Sequence, residues 1–175
     1  LHTDPRVLGE VWVAPYLTYA PELTFVIEDD EGVGGYVVGA AHTTEYEEWA
    51  EAEWWPRLRD RYPAGTFRAG SADADVVDLI HSPLRMAPEI VESHPAHLHI
   101  DMVPRLQGQG LGRRLLDHLF TGLREAGAHA VHLGVSPANT NAIAFYERLG
   151  FVELVPGITL LGRSTEPSDA TRPTT

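Results

Sequence analysis

Between residues 23 and 41 the chain reads "LTFVIEDDEGVGGYVVGAA", where β-branched and aromatic residues run up to an acidic turn ending in Gly32 and then resume. That pattern predicts a β-hairpin. Upstream, "VLGEVWVAPYL" at 7–17 predicts an edge strand or an extended lead-in, shortened by Pro15, which has no N–H for a ladder. In "TTEYEEWAEAEWWPRLRDRY", 43–62, Tyr46, Ala50, Trp54 and Leu58 recur every four residues among glutamates. This is the period of an amphipathic helix with a threonine cap, kinked or restarted at Pro56, whose aromatic stripe is a core face. Residues 63–95, rich in Gly, Pro, Ala and Asp around one apolar run "VVDLI", predict a long, partly irregular excursion of the kind that shapes a site.

The second half is more regular. "AHLHIDMV" at 96–103 predicts a strand ended by Pro104, and Leu111, Leu115, Leu116, Leu119, Phe120 and Leu123 mark one helix face that stops at Gly127. "AVHLGV" is another strand, "NTNAIAFYERLGF" a shorter helix ended by Gly150, and "FVELVPGITLL" one or two last strands. The polar tail "RSTEPSDATRPTT", 163–175, predicts disorder. The order is a hairpin, an inserted helix and loop at about 42–95, then strand, helix, strand, helix and strand. A βαβ unit demands parallel pairing beside the antiparallel first half, so the expected fold is α/β with a mixed sheet, one domain over 1–162.

A chain of 175 residues builds such a core without staples. Having no cysteine, it has no disulfide, thiolate metal site or Cys nucleophile. No apolar stretch approaches the roughly 18 residues of a membrane span and no basic-then-apolar leader opens the chain, so a soluble, cytoplasmic protein without a membrane partner is expected. A net charge of -12, with 13 Lys+Arg against 25 Asp+Glu, leaves no basic stripe for nucleic acid and favours encounter with a cation.

Candidate chemistry begins at "RLQGQGLGRRLL", 105–116, where three glycines precede the Leu-rich helix. A helix N-terminus carries unpaired N–H groups and the positive end of the dipole, and Gly108, Gly110 and Gly112 let an anion approach the backbone, with Arg113 and Arg114 adding charge. A pyrophosphate is the expected occupant. The dinucleotide pattern Gly-x-Gly-x-x-Gly fails at Arg113 or at Leu115, depending on where the count starts, and the Gly-Lys-Ser/Thr ending of a P-loop is absent.

Gln107-x-x-Gly110-x-Gly112, preceded by a strand and Pro104, resembles the acyl-CoA pyrophosphate loop of the GNAT N-acetyltransferase superfamily. A second signature stands in the right order: Asn139-x-x-Ala142-Ile143-x-Phe145-Tyr146, closing on Gly150-Phe151. The resemblance covers about 23–161, interrupted after Ala41. "EWWPRLRDRYP", "HPAHLHID" and "LQGQGLGRRLLD" are most similar to the acetyltransferase-like domain associated with O-GlcNAcase and its free-standing bacterial relatives. The resemblance implies a GNAT fold, acetyl-CoA as co-substrate, and direct attack of an amine on the thioester. Members of that subgroup have been regarded both as enzymes and as inactive modules, so a CoA-binding or interaction module is the alternative.

Carried over residue by residue, the resemblance places Gln107, Gly108, Gln109, Gly110, Leu111, Gly112 and Arg113 on the pyrophosphate. It places the backbone of Met102 and Val103, splayed from the next strand, on the pantetheine amides. Asn139 holds the pantetheine arm and caps its own helix, Phe145 stands beside the cofactor, and Tyr146 is the general acid for the departing sulfur. Where some relatives carry a glutamate, five residues before the helix asparagine, this chain has Gly134. Strand alternation puts His97, His99 and Asp101 on one face, and Asp101 is the expected base, directly or through water, with His97 or His99 behind it. His94-x-x-His97-x-His99 lacks a carboxylate or thiolate partner at a recognised metal spacing, and no metal is expected. The amine acceptor and the oligomeric state are not legible.

Overall fold

A computed structural model of the chain describes residues 4–167. Two short helices, α1 (Pro5–Trp12) and α2 (Ala14–Tyr19), come first. The hairpin is next, as β1 (Thr24–Asp29) and β2 (Gly32–Ala40). The insertion holds α3 (Thr43–Trp49), a π-helical turn (Ala50–Trp54), α4 (Trp55–Arg61), α5 (Ala72–His81) and α6 (Pro88–Ser93). The second half runs β3 (Ala96–Met102), α7 (Leu111–Glu125), β4 (Ala130–Gly134), α8 (Thr140–Arg148), β5 (Val152–Val155) and β6 (Ile158–Ser164).

Three expectations change. The lead-in at 7–17 is helical: the Asp4 carboxylate accepts from the Arg6 N–H at the start of α1, and Val7, Val11 and Tyr16 are buried at helical spacing against the insertion. Its β-branched residues suit a strand, but burial outweighs a preference of a few tenths of a kcal/mol per residue, about the size of the propensity scale. The excursion at 63–95 is more ordered than its composition suggests. Ser71 caps α5, and Val76, Val77 and Ile80 bury one face of it. The tail does not begin at 163: Arg163 and Ser164 lie in β6 and Thr165 is buried, its hydroxyl donating to the Ala128 carbonyl. The rest of the expected tail, from 168, falls outside the described residues.

One six-stranded sheet has the order β1-β2-β3-β4-β6-β5, antiparallel except for β3 with β4. It is the mixed sheet expected. On one face α7 buries Leu115, Leu116, Leu119, Phe120 and Leu123 against Val37, Leu98 and Val131, each large side chain gaining roughly 1.5–3 kcal/mol over exposure. The opposite face of β2 and β3 is roofed by α1 to α5, which seal Val38 and Ala40 completely. The π-helical turn supplies Glu51, whose carboxylate takes a two-pronged bond from Arg59 of α4 at 2.7 and 3.0 Å, while the Arg59 Nε donates to the Ile80 carbonyl of α5. One arginine thus ties three pieces of the insertion together.

Candidate active site

Strand β3 pairs with β2 along its whole length, from Ala40↔His97 to Gly35↔Met102, but with β4 only at Ala96↔Val131 and His97↔His132. Beyond that point β4 stays with β6 as far as Gly134↔Leu160, so the two parallel strands part and leave a wedge between them. The Val103 N–H donates to the Gly34 carbonyl, and ladder alternation from that bond turns the backbone groups of Ile100 and Met102 toward the wedge. Ile100 is a cleft residue that the sequence does not reveal by itself; it becomes visible only once the register is known. Val103 is placed differently from the expectation, its N–H on Gly34 and its carbonyl accepting from the Leu106 N–H. Met102 faces the wedge, with its N–H donating to the Asp101 carboxylate and its carbonyl accepting from the Gln107 side chain, each at 2.8 Å.

The glycine loop lies at the open end. Gly108 and Gly110 have φ of +74° and +76°, a left-handed backbone that a Cβ makes costly, and Gly110 is the residue from which α7 starts. Gly112 is needed for a different reason: a Cβ there would stand 3.1 Å from the Phe145 ring, so its absence lets α8 close on the first turn of α7. Gln109 donates its side-chain amide to the Arg105 carbonyl, folding the loop, and Arg105 is itself held by Asp29. Leu111 is half-buried and Arg113 is exposed beside Asp117. The structure therefore brings Gln107, Gly108, Gln109, Gly110, Leu111, Gly112, Arg113 and Phe145 together at one end of the wedge.

From the other side, the Asn139 side-chain oxygen Oδ1 accepts from the Ala142 N–H and caps α8. That cap orients the helix so that Tyr146 is buried with its ring against Phe145 and Phe151. Its hydroxyl has no hydrogen-bond partner among the described residues. Burial first, and then the charge of Asp101, push the phenol up to about 12. Asp101 is exposed at the rim, opposite Tyr36 of β2. Gly134 leaves open space on β4, with nothing within 4 Å of where a Cβ would be.

Behind Asp101 on the same face, His97 is fixed on both nitrogens. The Thr43 hydroxyl donates to the Pro95 carbonyl and so accepts from the His97 Nδ1–H at 2.8 Å, which leaves Nε2 to accept from the Tyr16 hydroxyl at 2.8 Å. Desolvation holds the His97 imidazole well below its ordinary range and the Tyr16 phenol well above its own, so both are neutral. His97 is a structural clamp. Replacing Thr43 with Val is expected to leave the Nδ1–H without an acceptor and to cost about 1–3 kcal/mol, read as a lower urea midpoint at unchanged m.

Among the described residues His99 has no such bonds; its ring stands against Trp12 and Tyr16, and burial pulls its pKa down to about 4. Burial also depresses His132, whose Nδ1 donates to the His94 carbonyl, and His94 itself. In the unfolded chain these imidazoles protonate near about pH 6.5, but in the folded one they resist. The unfolded state then binds more protons, and stability is lost as pH falls from about 6.5 toward 4. Thermal melts across that range should show a falling Tm, with His99→Gln flattening part of the slope. An unchanged slope in that variant would mean that His99 is solvated.

The model of the acetyltransferase (GNAT) family matches residues 3–151 of the chain. This chain belongs to that family. It is similar to the crystal structure of SsHAT, with 46% identity and a TM-score of 0.85 over 95% of this chain and 84% of that one. It is 22% identical to the protein O-GlcNAcase of Rattus norvegicus over 171 residues, which are 93% of this chain and 19% of that protein. Over 65 residues it is 42% identical to the [ribosomal protein bS18]-alanine N-acetyltransferase of Escherichia coli K12, covering 37% of this chain and 44% of that protein. The chain thus spans about a fifth of one curated relative and under half of the other. For a GNAT chain, the wedge with a glycine loop at one end and a buried tyrosine at its side is the place to seek the chemistry. Among the described residues, no helix is long and apolar enough to cross a membrane, and no group of three or more His, Asp or Glu residues is disposed to hold a metal ion.

Proposed function

We propose that this GNAT chain is an acetyl-CoA-dependent N-acetyltransferase in which an amine attacks the thioester directly. The observation that carries the reading is the convergence on one wedge of the left-handed Gly108–Gly110 turn and of Tyr146, a buried residue whose hydroxyl has no hydrogen-bond partner among the described residues. The pyrophosphate lies on the N–H groups of 108–113, at the positive end of α7. Arg113 also lines a groove of about 490 Å³ along α7 and the end of α8, where Arg124, Arg148 and Arg163 stand beside Asp117 and Glu166. Pantetheine enters between β3 and β4 and meets the backbone of Ile100 and Met102, the Met102 groups exchanging their Asp101 and Gln107 partners for it.

In the reaction the amine nitrogen bonds to the thioester carbonyl carbon, the oxyanion is met by an N–H of the wedge, and the C–S bond breaks. The proton leaving nitrogen goes to Asp101, directly or through water, and Tyr146 gives its proton to sulfur, releasing CoA thiol and an acetamide. A phenol held at about 12 keeps that proton at neutral pH until sulfur needs it. The empty volume at Gly134 and the hydrogen bond that engages Asp101 favour a second reading, a CoA-binding module that does not turn over.

Calorimetric titration with acetyl-CoA, and then release of CoA thiol with small amines, peptides and amino sugars, separates the two. Binding with amine-dependent release supports the enzyme. Binding without release across the panel supports the module, and no binding overturns both.

A further inference from the structure

The helical roof over β2 and β3 ends in a particular way. Along β2 the residues on this face run from Ala40 and Val38, both fully sealed, to Tyr36, half-buried; along β3 they run from His97 and His99, half-buried, to Asp101, exposed. The roof therefore closes over the first rungs and stops above Tyr36 and Asp101, which are direct cross-strand partners, with His99 as a diagonal neighbour of Tyr36. At the edge of the roof stands Trp12 of α1, half-buried, its ring 5.1 Å from that of His99 at 64°. An aromatic wall thus meets a carboxylate at the rim of the wedge, on the side away from α7, and the Asp101 charge reaches both Tyr36 and Tyr146.

We infer that Trp12, Tyr36, His99 and Asp101 form the acceptor subsite, and that it takes a small primary ammonium carrying a flat apolar body. The inference rests on the acetyltransferase reading for the chemistry and on the roof edge for the specificity. Asp101 meets the ammonium, the Tyr36 ring offers it a π face, and Trp12 packs on the body behind it. The neutral His99 fills the corner without adding a repelling charge. A flexible lysine stem fits the same carboxylate but offers Trp12 no flat surface, so the edge discriminates among amines by the shape of the group that bears the nitrogen.

The test uses the whole chain with saturating CoA, titrated with 2-phenylethylamine, n-butylamine and 2-phenylethanol, beside acetyl transfer to the two amines and to a lysine peptide. The expected order of affinity is phenylethylamine first, with butylamine and phenylethanol each weaker by about three- to thirtyfold, the range of one stacking or cation–π contact. Trp12→Leu should erase the preference for phenylethylamine over butylamine while leaving butylamine unchanged, and Tyr36→Leu should weaken both amines relative to the alcohol. CoA binding, which uses neither residue, reports that the variants are folded; should Trp12→Leu fail that check, Trp12→Phe keeps a ring and should retain the preference. Equal affinity for the three probes, or variants that bind CoA but leave the probe order unchanged, overturns the subsite. Selective ammonium binding without turnover keeps the subsite and defeats the catalytic reading. Turnover of the lysine peptide that ignores Trp12 does the reverse.

Discussion

Replacing Tyr146 with Phe is expected to lower the rate of acetyl transfer by about 10²–10³-fold, within the range for loss of a general acid, with no change in the affinity for acetyl-CoA. The substitution removes one oxygen from a ring that stays packed between Phe145 and Phe151, so the wedge keeps its shape. The hydroxyl also has no partner among the described residues that its removal would orphan, so stability should hold. Single-turnover kinetics beside a calorimetric Kd reads both quantities. A variant that transfers acetyl groups as fast as the parent would show that water protonates the thiolate and would return Tyr146 to a packing role.

Gly110→Val should act on binding instead. A β-branched residue at φ +76° costs roughly 1–2 kcal/mol or more in the left-handed region, and the loop escapes that cost by leaving the conformation that aims its N–H groups at an anion. The fold has room, because nothing lies within 4 Å of the new Cβ; on the proposed reading the side chain also takes up space that the phosphate needs. The expected loss of acetyl-CoA affinity is about 5- to 30-fold from strain alone, and more from obstruction. Gly65→Val is the control, since φ is +84° there in an exposed turn of the insertion, with equal room. It should incur a similar strain and leave the acetyl-CoA Kd unchanged. Equal effects at the two positions would reduce the Gly110 result to a general loss of stability.

Elements whose apolar spacing is long and unbroken are legible from the chain alone. The face of α7 announces itself through Leu115, Leu116, Leu119, Phe120 and Leu123, and the hairpin through its acidic turn. The lead-in is not, because Val7, Val11 and Val13 carry a strand-like composition while their burial obeys a helical period set by a roof contributed from residues 43–80. A single stretch does not contain the partner that decides its conformation. The same limit applies at the site. The glycine loop and the α8 signature are local patterns and are readable, whereas the role of Ile100 depends on the β2 register, and that of His97 on Tyr16 and Thr43, 81 and 54 residues before it. Strand alternation alone singles out Asp101 and His99; their difference in exposure and bonding comes from where the roof ends.

The clamp at His97 also bears on how separable the insertion is. Residues 42–95 look like a passenger between the two halves of the sheet, something a shorter chain would omit. Yet one imidazole receives α2 on one nitrogen and the start of α3 on the other, while the Thr43 N–H and hydroxyl both reach the Pro95 carbonyl at the insertion's far end. Entry and exit of the insertion are thus stitched to each other and to β3 at a single point. Excising it would strip the N-terminal helices of their support and wet the sealed face of β2. Amide exchange in α2, the start of α3 and the first rungs of β3 should accordingly be lost as one cooperative unit, not in three independent steps.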